Sequence, residues 1–200
     1  ESRQRLIVEK RIQGWVESPP ENPVILAGST GSRGTTMLLM QAISNLPQGA
    51  VVLPGYDFDM PDHVWSALSE ALHSEDHPQF RFRKLLDGVH AAPSDVTQWH
   101  SDAVPSAARN RLVSLALRPA PVTDQWLSEG PALTDIPQGT QDVTLLQATS
   151  LREEALAISM RLRQAAHDGQ TAALISPDRM LTRQVTASLD RWGITPDDSA

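Results

Sequence analysis

Two short apolar runs constrain this chain more than any other feature. "VILAG" (24–28) and "AVVLPG" (50–55) carry no polar residue before their closing glycines. Without polar alternation, each reads as a strand buried on both faces. Between them, Leu39, Ala42, Ile43 and Leu46 recur at helical spacing and predict a helix over 35–46. Strand, helix and strand in that order make a βαβ unit. Its crossover is too long for a hairpin, so the two strands must pair in parallel. The predicted fold class is α/β, built of parallel-sheet βαβ units with a helical middle segment.

The rest of the chain divides around that unit. Residues 1–22 hold a leading helix with Leu6, Ile7, Ile12 and Trp15 on it, closed by "SPPENP". Residues 23–118 read as the end of a first lobe plus a helical segment. There Val64, Trp65, Leu68 and Leu72 share a face, "HPQFRFRKLLDGV" forms a short helix, and "AARNRLVSLALRP" forms another, stopped at Pro119. Residues 119–141 are dense in turn residues and read as a linker. Residues 142–200 read as the start of a second lobe, with strands expected at "DVTLLQA" (142–148) and "TAALIS" (171–176). Ser150 and Glu153 have capping-box spacing ahead of the stripe Leu151, Ala155, Ile158 and Leu162. Ser176 and Pro177 are the expected start of a further helix, with Met180, Leu181, Val185, Leu189 and Trp192 facing inward. The second lobe breaks off early, as in an internal piece of a longer protein.

Charge and composition exclude several function classes. The net charge is -7, which argues against nucleic-acid binding by overall charge and leaves only a local basic groove. There is no cysteine, hence no disulfide, no thiolate metal site and no cysteine nucleophile, which fits a reducing cytoplasm. No apolar run approaches the roughly 20 residues of a membrane span, so no membrane partner is expected. The charged, amphipathic N-terminus is not a secretory signal.

The glycines after the first strand raise the question of nucleotide binding. Gly28, Ser29, Thr30, Gly31, Ser32 and Arg33 lie between a strand and a helix, where a phosphate loop would lie. A working loop reads G-x-x-x-x-G-K-[ST], its Lys meeting the terminal phosphates and its hydroxyl holding magnesium. Here the second glycine is displaced and no Lys is present. The planar fork of Arg33 does not replace a compact ammonium. The spacing Gly28, Gly31, Gly34 does not make a dinucleotide fingerprint either. These residues are candidates for a nucleotide or anion loop, with a plain strand-to-helix turn as the competing reading.

Other clusters have similar pairs of readings. Asp57, Asp59 and Asp62 follow the second strand, as magnesium-binding carboxylates or as caps of the next helix. His73 and His77 have ligand-like i, i+4 spacing but lack the Glu of a zinc protease helix. Arg81, Arg83 and Lys84, interleaved with Phe80 and Phe82, are the DNA-contact candidates, because bases stack on rings while phosphates pair with cations. Trp65, Trp126 and Trp192 sit in apolar helical patterns and are expected in the core. No catalytic residue is assigned.

Long stretches in fixed order resemble the AddB-type subunit of the alphaproteobacterial AddAB helicase–nucleases. They are "PVILAGSTGSRGTTMLLMQAISNLPQGAVVLPGYD", "HPQFRFRKLLDG", "ALRPAPVTDQW", "ATSLREEALAISMRLRQA" and "TAALISPDRMLTRQVTASLDRWGITPDDSA". The stretch "SRGTT" is more polar than that pattern. The resemblance implies RecA-like, P-loop NTPase-like helicase lobes of the UvrD and RecB kind, inactivated here, in a double-strand break repair protein. It implies an AddA-type helicase–nuclease subunit and DNA as partners. It also implies, in the full-length protein, magnesium, a C-terminal PD-(D/E)xK nuclease and an iron–sulfur cluster. The nuclease motif and the cluster's cysteines are not in this piece. On that alignment "GSTGS" stands where a working motor has its magnesium-holding acids, so Gly28 and Ser29 replace them. The piece is then expected to hydrolyse no ATP. The alternative from the residues alone is a small P-loop NTPase or kinase with an atypical loop, and a third reading is an interaction module that binds no DNA.

Overall fold

The computed structural model describes residues 2–70, 74–99 and 104–197. The chain separates into two compact units, Glu1–Gln141 and Asp142–Ala200.

The first unit is α/β and mostly helical. Its order is α1 (Ser2–Glu17), β1 (Val24–Ala27), α2 (Gly34–Ser44), β2 (Gly49–Val52), α3 (Asp62–Glu70), α4 (Phe80–Val89), α5 (Ala107–Ala116), α6 (Gln125–Glu129) and α7 (Ile136–Gly139). β1 and β2 pair in parallel, Val24 opposite Gly49 and Ala27 opposite Val52. The helix between them packs on both strands, as a crossover must. The sheet is not buried on both faces, however. Burial alternates along β1, and Ile25 is 55% exposed. Two strands offer too little surface for a helical layer on each side, so one face of β1 stays open.

The main core of this unit lies past the end of β2. Met60, Val64, Trp65, Leu68 and Phe82 are buried together, with Leu53, Tyr56 and Val122 against them. Tyr56 stacks on Trp65 at 5.0 Å between ring centroids. Fully burying a large apolar side chain contributes about 1.5–3 kcal/mol, so helices α3 and α4, which supply four of these residues, stabilise the unit more than the short ladder does.

Residues 119–141 are not a bare linker. They fold into α6, α7 and two 3-10 turns within the first unit. The Trp126 indole donates to Leu115 O at 2.9 Å, Arg118 pairs with Glu129, and Arg109 donates to the carbonyls of Gly139 and Gln141. The turn residues there punctuate short helices. Trp126, expected in the core, is half exposed.

The second unit contains α8 (Leu151–His167) and α9 (Arg179–Asp190). Ala155, Leu181, Val185 and Leu189 form its core, with Leu151, Ile158, Leu162 and Trp192 packed around them. Ser159 is fully buried at this contact because its hydroxyl donates to Ala155 O at 2.6 Å. The Ser150 hydroxyl accepts from Glu153 N–H, while the Glu153 carboxylate takes the N–H and hydroxyl of Thr149. α9 starts two residues later than expected. Asp178, not Ser176, caps it by accepting from Met180 and Leu181 N–H. Met180, expected inside, is 55% exposed.

The strands expected at 142–148 and 171–176 are not formed. Among the described residues the only ladder is β1–β2. Leu145 is 86% and Ile175 95% exposed. An apolar run becomes a strand only when a neighbour takes its backbone groups, and the described residues of this unit provide none.

Candidate functional site

The glycine loop connects β1 to α2 at the carboxyl end of a parallel strand, a usual ligand position in α/β sheets. Gly28 and Gly31 have positive φ, +78° and +68°. Ser29 folds the loop on itself, its hydroxyl accepting from Gly31 N–H at 3.2 Å. The two glycines serve different needs. A Cβ at Gly28 would meet open space. At Gly31 it would meet Met37 Cε at 2.8 Å and Met40 Sδ at 3.2 Å. Gly31 is therefore required by packing against α2 as well as by backbone conformation.

The chemistry of the loop is sparse. α2 starts after Arg33 with no side chain capping it, so its first turn can attract an anion by its dipole alone. Ser32 and Arg33 are exposed, as are Gly28 and Thr30. The loop offers hydroxyls and N–H groups but no carboxylate, so its donor set does not fit magnesium, and it contains no Lys to meet a phosphate.

The basic cluster of α4 splits between two faces. Arg83 is folded against the protein, Nε donating to the Ser69 hydroxyl at 2.6 Å and Nη2 pairing with Asp87 at 2.6 Å. Lys84 is exposed, its ammonium 5.3 Å from the centre of the Phe80 ring. Arg81 is half-buried, one turn before Lys84. Phe82 is core, 2% exposed. One-helix spacing places Arg81 and Lys84 together and Arg83 elsewhere, so the outward basic face is Arg81, Lys84 and the Phe80 ring.

The loop after β2 is more built. Gln79, only 7% exposed, donates through Nε2 to Gly55 O at 2.8 Å and accepts from Asp57 N–H at 3.2 Å. Its own N–H donates to His77 Nδ1, which leaves His77 Nε2 as donor to Leu117 O at 2.7 Å. Asp57 accepts from Asp59 N–H at 2.9 Å, and the Tyr56 hydroxyl donates to Pro93 O at 2.9 Å. Burial pushes the Tyr56 phenol up to about 12; Arg83 opposes this, and Asp57 and Asp62 add to it. Burial, with Asp57 alongside, raises the Asp59 carboxyl above its ordinary value, against the pull of Arg111. Asp62 lies in the first turn of α3, as a capping acid does.

His77 is thus an organising residue of this loop, while His73 lies outside the described residues. Among those residues, no three or more His, Asp or Glu are arranged to hold a metal, and no helix is long and apolar enough to cross a membrane. Gln79, the residue that sequence reasoning missed, left no signal, because its partners come from the other side of α3. No protein-family model, no curated protein and no solved structure matches this chain.

Proposed function

We propose that the chain is a non-catalytic, helicase-like segment of the AddB-type subunit of a double-strand break repair helicase–nuclease. In this reading the first unit is a relic of a RecA-like, P-loop NTPase-like lobe and the second the start of another. The segment works in the cytoplasm, contacts an AddA-type subunit and lies along a DNA strand through Arg81 and Lys84. The full-length protein then carries the nuclease, its magnesium and the iron–sulfur cluster elsewhere.

One observation carries the reading. A parallel strand–loop–helix–strand unit has a positive-φ glycine turn at the carboxyl end of its first strand, with neither Lys nor carboxylate in it. A triphosphate needs its charge met by cations and by a metal held on acids, and Gly28 and Ser29 supply neither. The sequence resemblance supports assigning the segment to that kind of motor.

Titration calorimetry with ATP and magnesium, beside co-purification with an AddA-type subunit, tests it. The expected result is no nucleotide binding and a stable complex. Micromolar ATP affinity lost on changing Ser32 or Arg33 would instead support a small P-loop NTPase or kinase. A failure to bind the AddA-type subunit, with or without DNA, overturns the partner assignment.

A further inference from the structure

A cavity of about 410 Å3 opens beside the loop that follows β2, between that loop and α5. Phe58, 50% exposed, forms part of its wall and meets Tyr56 edge-on at 4.9 Å. Val113 of α5 and Leu117, which caps its end, also line it and are about half exposed. Asp57 and Asp59 border the same space. Among the described residues no cation is bonded to either carboxylate. Arg111 acts on Asp59 only at a distance, being paired with Asp135. Arg109 also borders the cavity, but its guanidinium is tied to the carbonyls of Gly139 and Gln141.

We propose that this cavity is a docking pocket for the guanidinium of an arginine side chain presented by a partner polypeptide, stacked on Phe58 and paired with Asp57 and Asp59. The inference does not depend on the helicase reading. Charge complementarity favours a cation, since two carboxylates border the space, neither with a bonded counter-charge among the described residues, against the single guanidinium of Arg109. The walls select which cation. A hard divalent ion wants a cage of oxygens, and here much of the lining is apolar. A guanidinium is planar, weakly hydrated, stacks on aromatic faces and bonds carboxylates with its fork, whereas an ammonium is compact and strongly hydrated. The raised Asp59 carboxyl is consistent with a negative charge awaiting a partner.

The site is also pre-formed. Gln79 clamps both ends of the turn, and Asp57 Oδ1 is held by Asp59 N–H. An Asp57→Asn change keeps that oxygen, so charge can be removed without undoing the loop. Phe58 lies at the surface, and Phe58→Leu keeps the apolar bulk without the ring.

Amide NMR of the whole chain tests the proposal with five probes: acetyl-Gly-Arg-Gly-amide, its lysine and citrulline counterparts, free arginine and magnesium chloride. The arginine peptide should shift the Gly55–Asp59 and Asn110 amides saturably, at millimolar to sub-millimolar concentration. The lysine peptide should bind several-fold more weakly and the citrulline peptide not at all. Phe58→Leu, and Asp57→Asn combined with Asp59→Asn, should each weaken binding about tenfold, with the remaining spectrum unchanged. Equal binding of the citrulline peptide, no saturable shift up to ~10 mM peptide, or binding indifferent to Phe58→Leu overturns the proposal. Free arginine binding as tightly as the peptide overturns the polypeptide partner. Magnesium chloride shifting the same amides, with arginine inactive, replaces the pocket by a metal site.

Discussion

The two parallel strands end in two different loops. The loop after β1 has the glycines that draw attention, yet its side chains make one internal hydrogen bond, Ser29 to Gly31. The loop after β2 carries no familiar motif, yet it is fastened by Gln79, Tyr56 and Asp57 and borders a cavity. A binding position in an α/β sheet is set by topology, at the carboxyl ends of strands. Which of those ends becomes a built site is decided by the side chains arriving from elsewhere in the chain.

Three groups of substitutions sharpen or break this contrast. The largest effect should come from Gln79→Leu, which removes the partners of Gly55 O and Asp57 N–H together. Leaving such groups unpaired costs about 2–3 kcal/mol, read as a lower urea midpoint with the slope unchanged. A loss no larger than that of an ordinary surface change would show that the second loop is not fastened as described.

Gly31→Ala and Gly28→Ala separate packing from backbone strain within the first loop. Both place a Cβ at positive φ, which costs roughly 1–2 kcal/mol. Only Gly31 adds contact with Met37 and Met40, so it should cost about 1 kcal/mol more than Gly28. Because the contacts are side-chain ends, Gly31→Ala combined with Met37→Ala should recover part of the difference. Equal losses at both positions would remove the packing role.

The smallest effects are electrostatic. Tyr56 is the chain's only tyrosine, so tyrosinate absorbance follows a single group. It should titrate at about 12 in the folded chain and near its ordinary value of about 10 in denaturant. The folded value is the higher, so the protonated phenol is favoured by the fold. Its contribution is complete below about pH 10 and is lost as pH rises toward 12. Tyr56→Phe should remove that alkaline loss. Asp59 is also raised, so its stabilising contribution belongs to acid pH and is gone once pH passes the folded value. At neutral pH, Asp59→Asn should therefore stabilise slightly, by less than about 1 kcal/mol for so exposed a group, and the gain should vanish in acid. Destabilisation at neutral pH would mean that the carboxylate already has a partner.

Legibility in the sequence followed the range of the interactions. The βαβ unit was readable because crossover length and apolar periodicity act within a few dozen residues, as did the cap at Ser150. The start of α9 was misplaced because Ser176 and Asp178 are both caps by type, and only geometry separates them. Arg81, Arg83 and Lys84 read as one cluster along the chain, but helical rotation turns Arg83 toward Ser69 and Asp87. The acids of the second loop were legible as carboxylates or caps, but its fastening and its cavity were not, since Gln79 and α5 reach it from distant parts of the sequence.

By itself the sequence determined the main helices outside 119–141, the parallel β1–β2 pair and the absence of a phosphate-binding Lys at the glycine loop. Those depend on local spacing and residue chemistry. Tertiary structure alone decided that 142–148 and 171–176 form no strand, that 119–141 folds onto α5, and that a cavity opens beside Phe58. Each of these depends on whether a distant segment arrives to pair, cover or leave space, and no local pattern encodes that arrival.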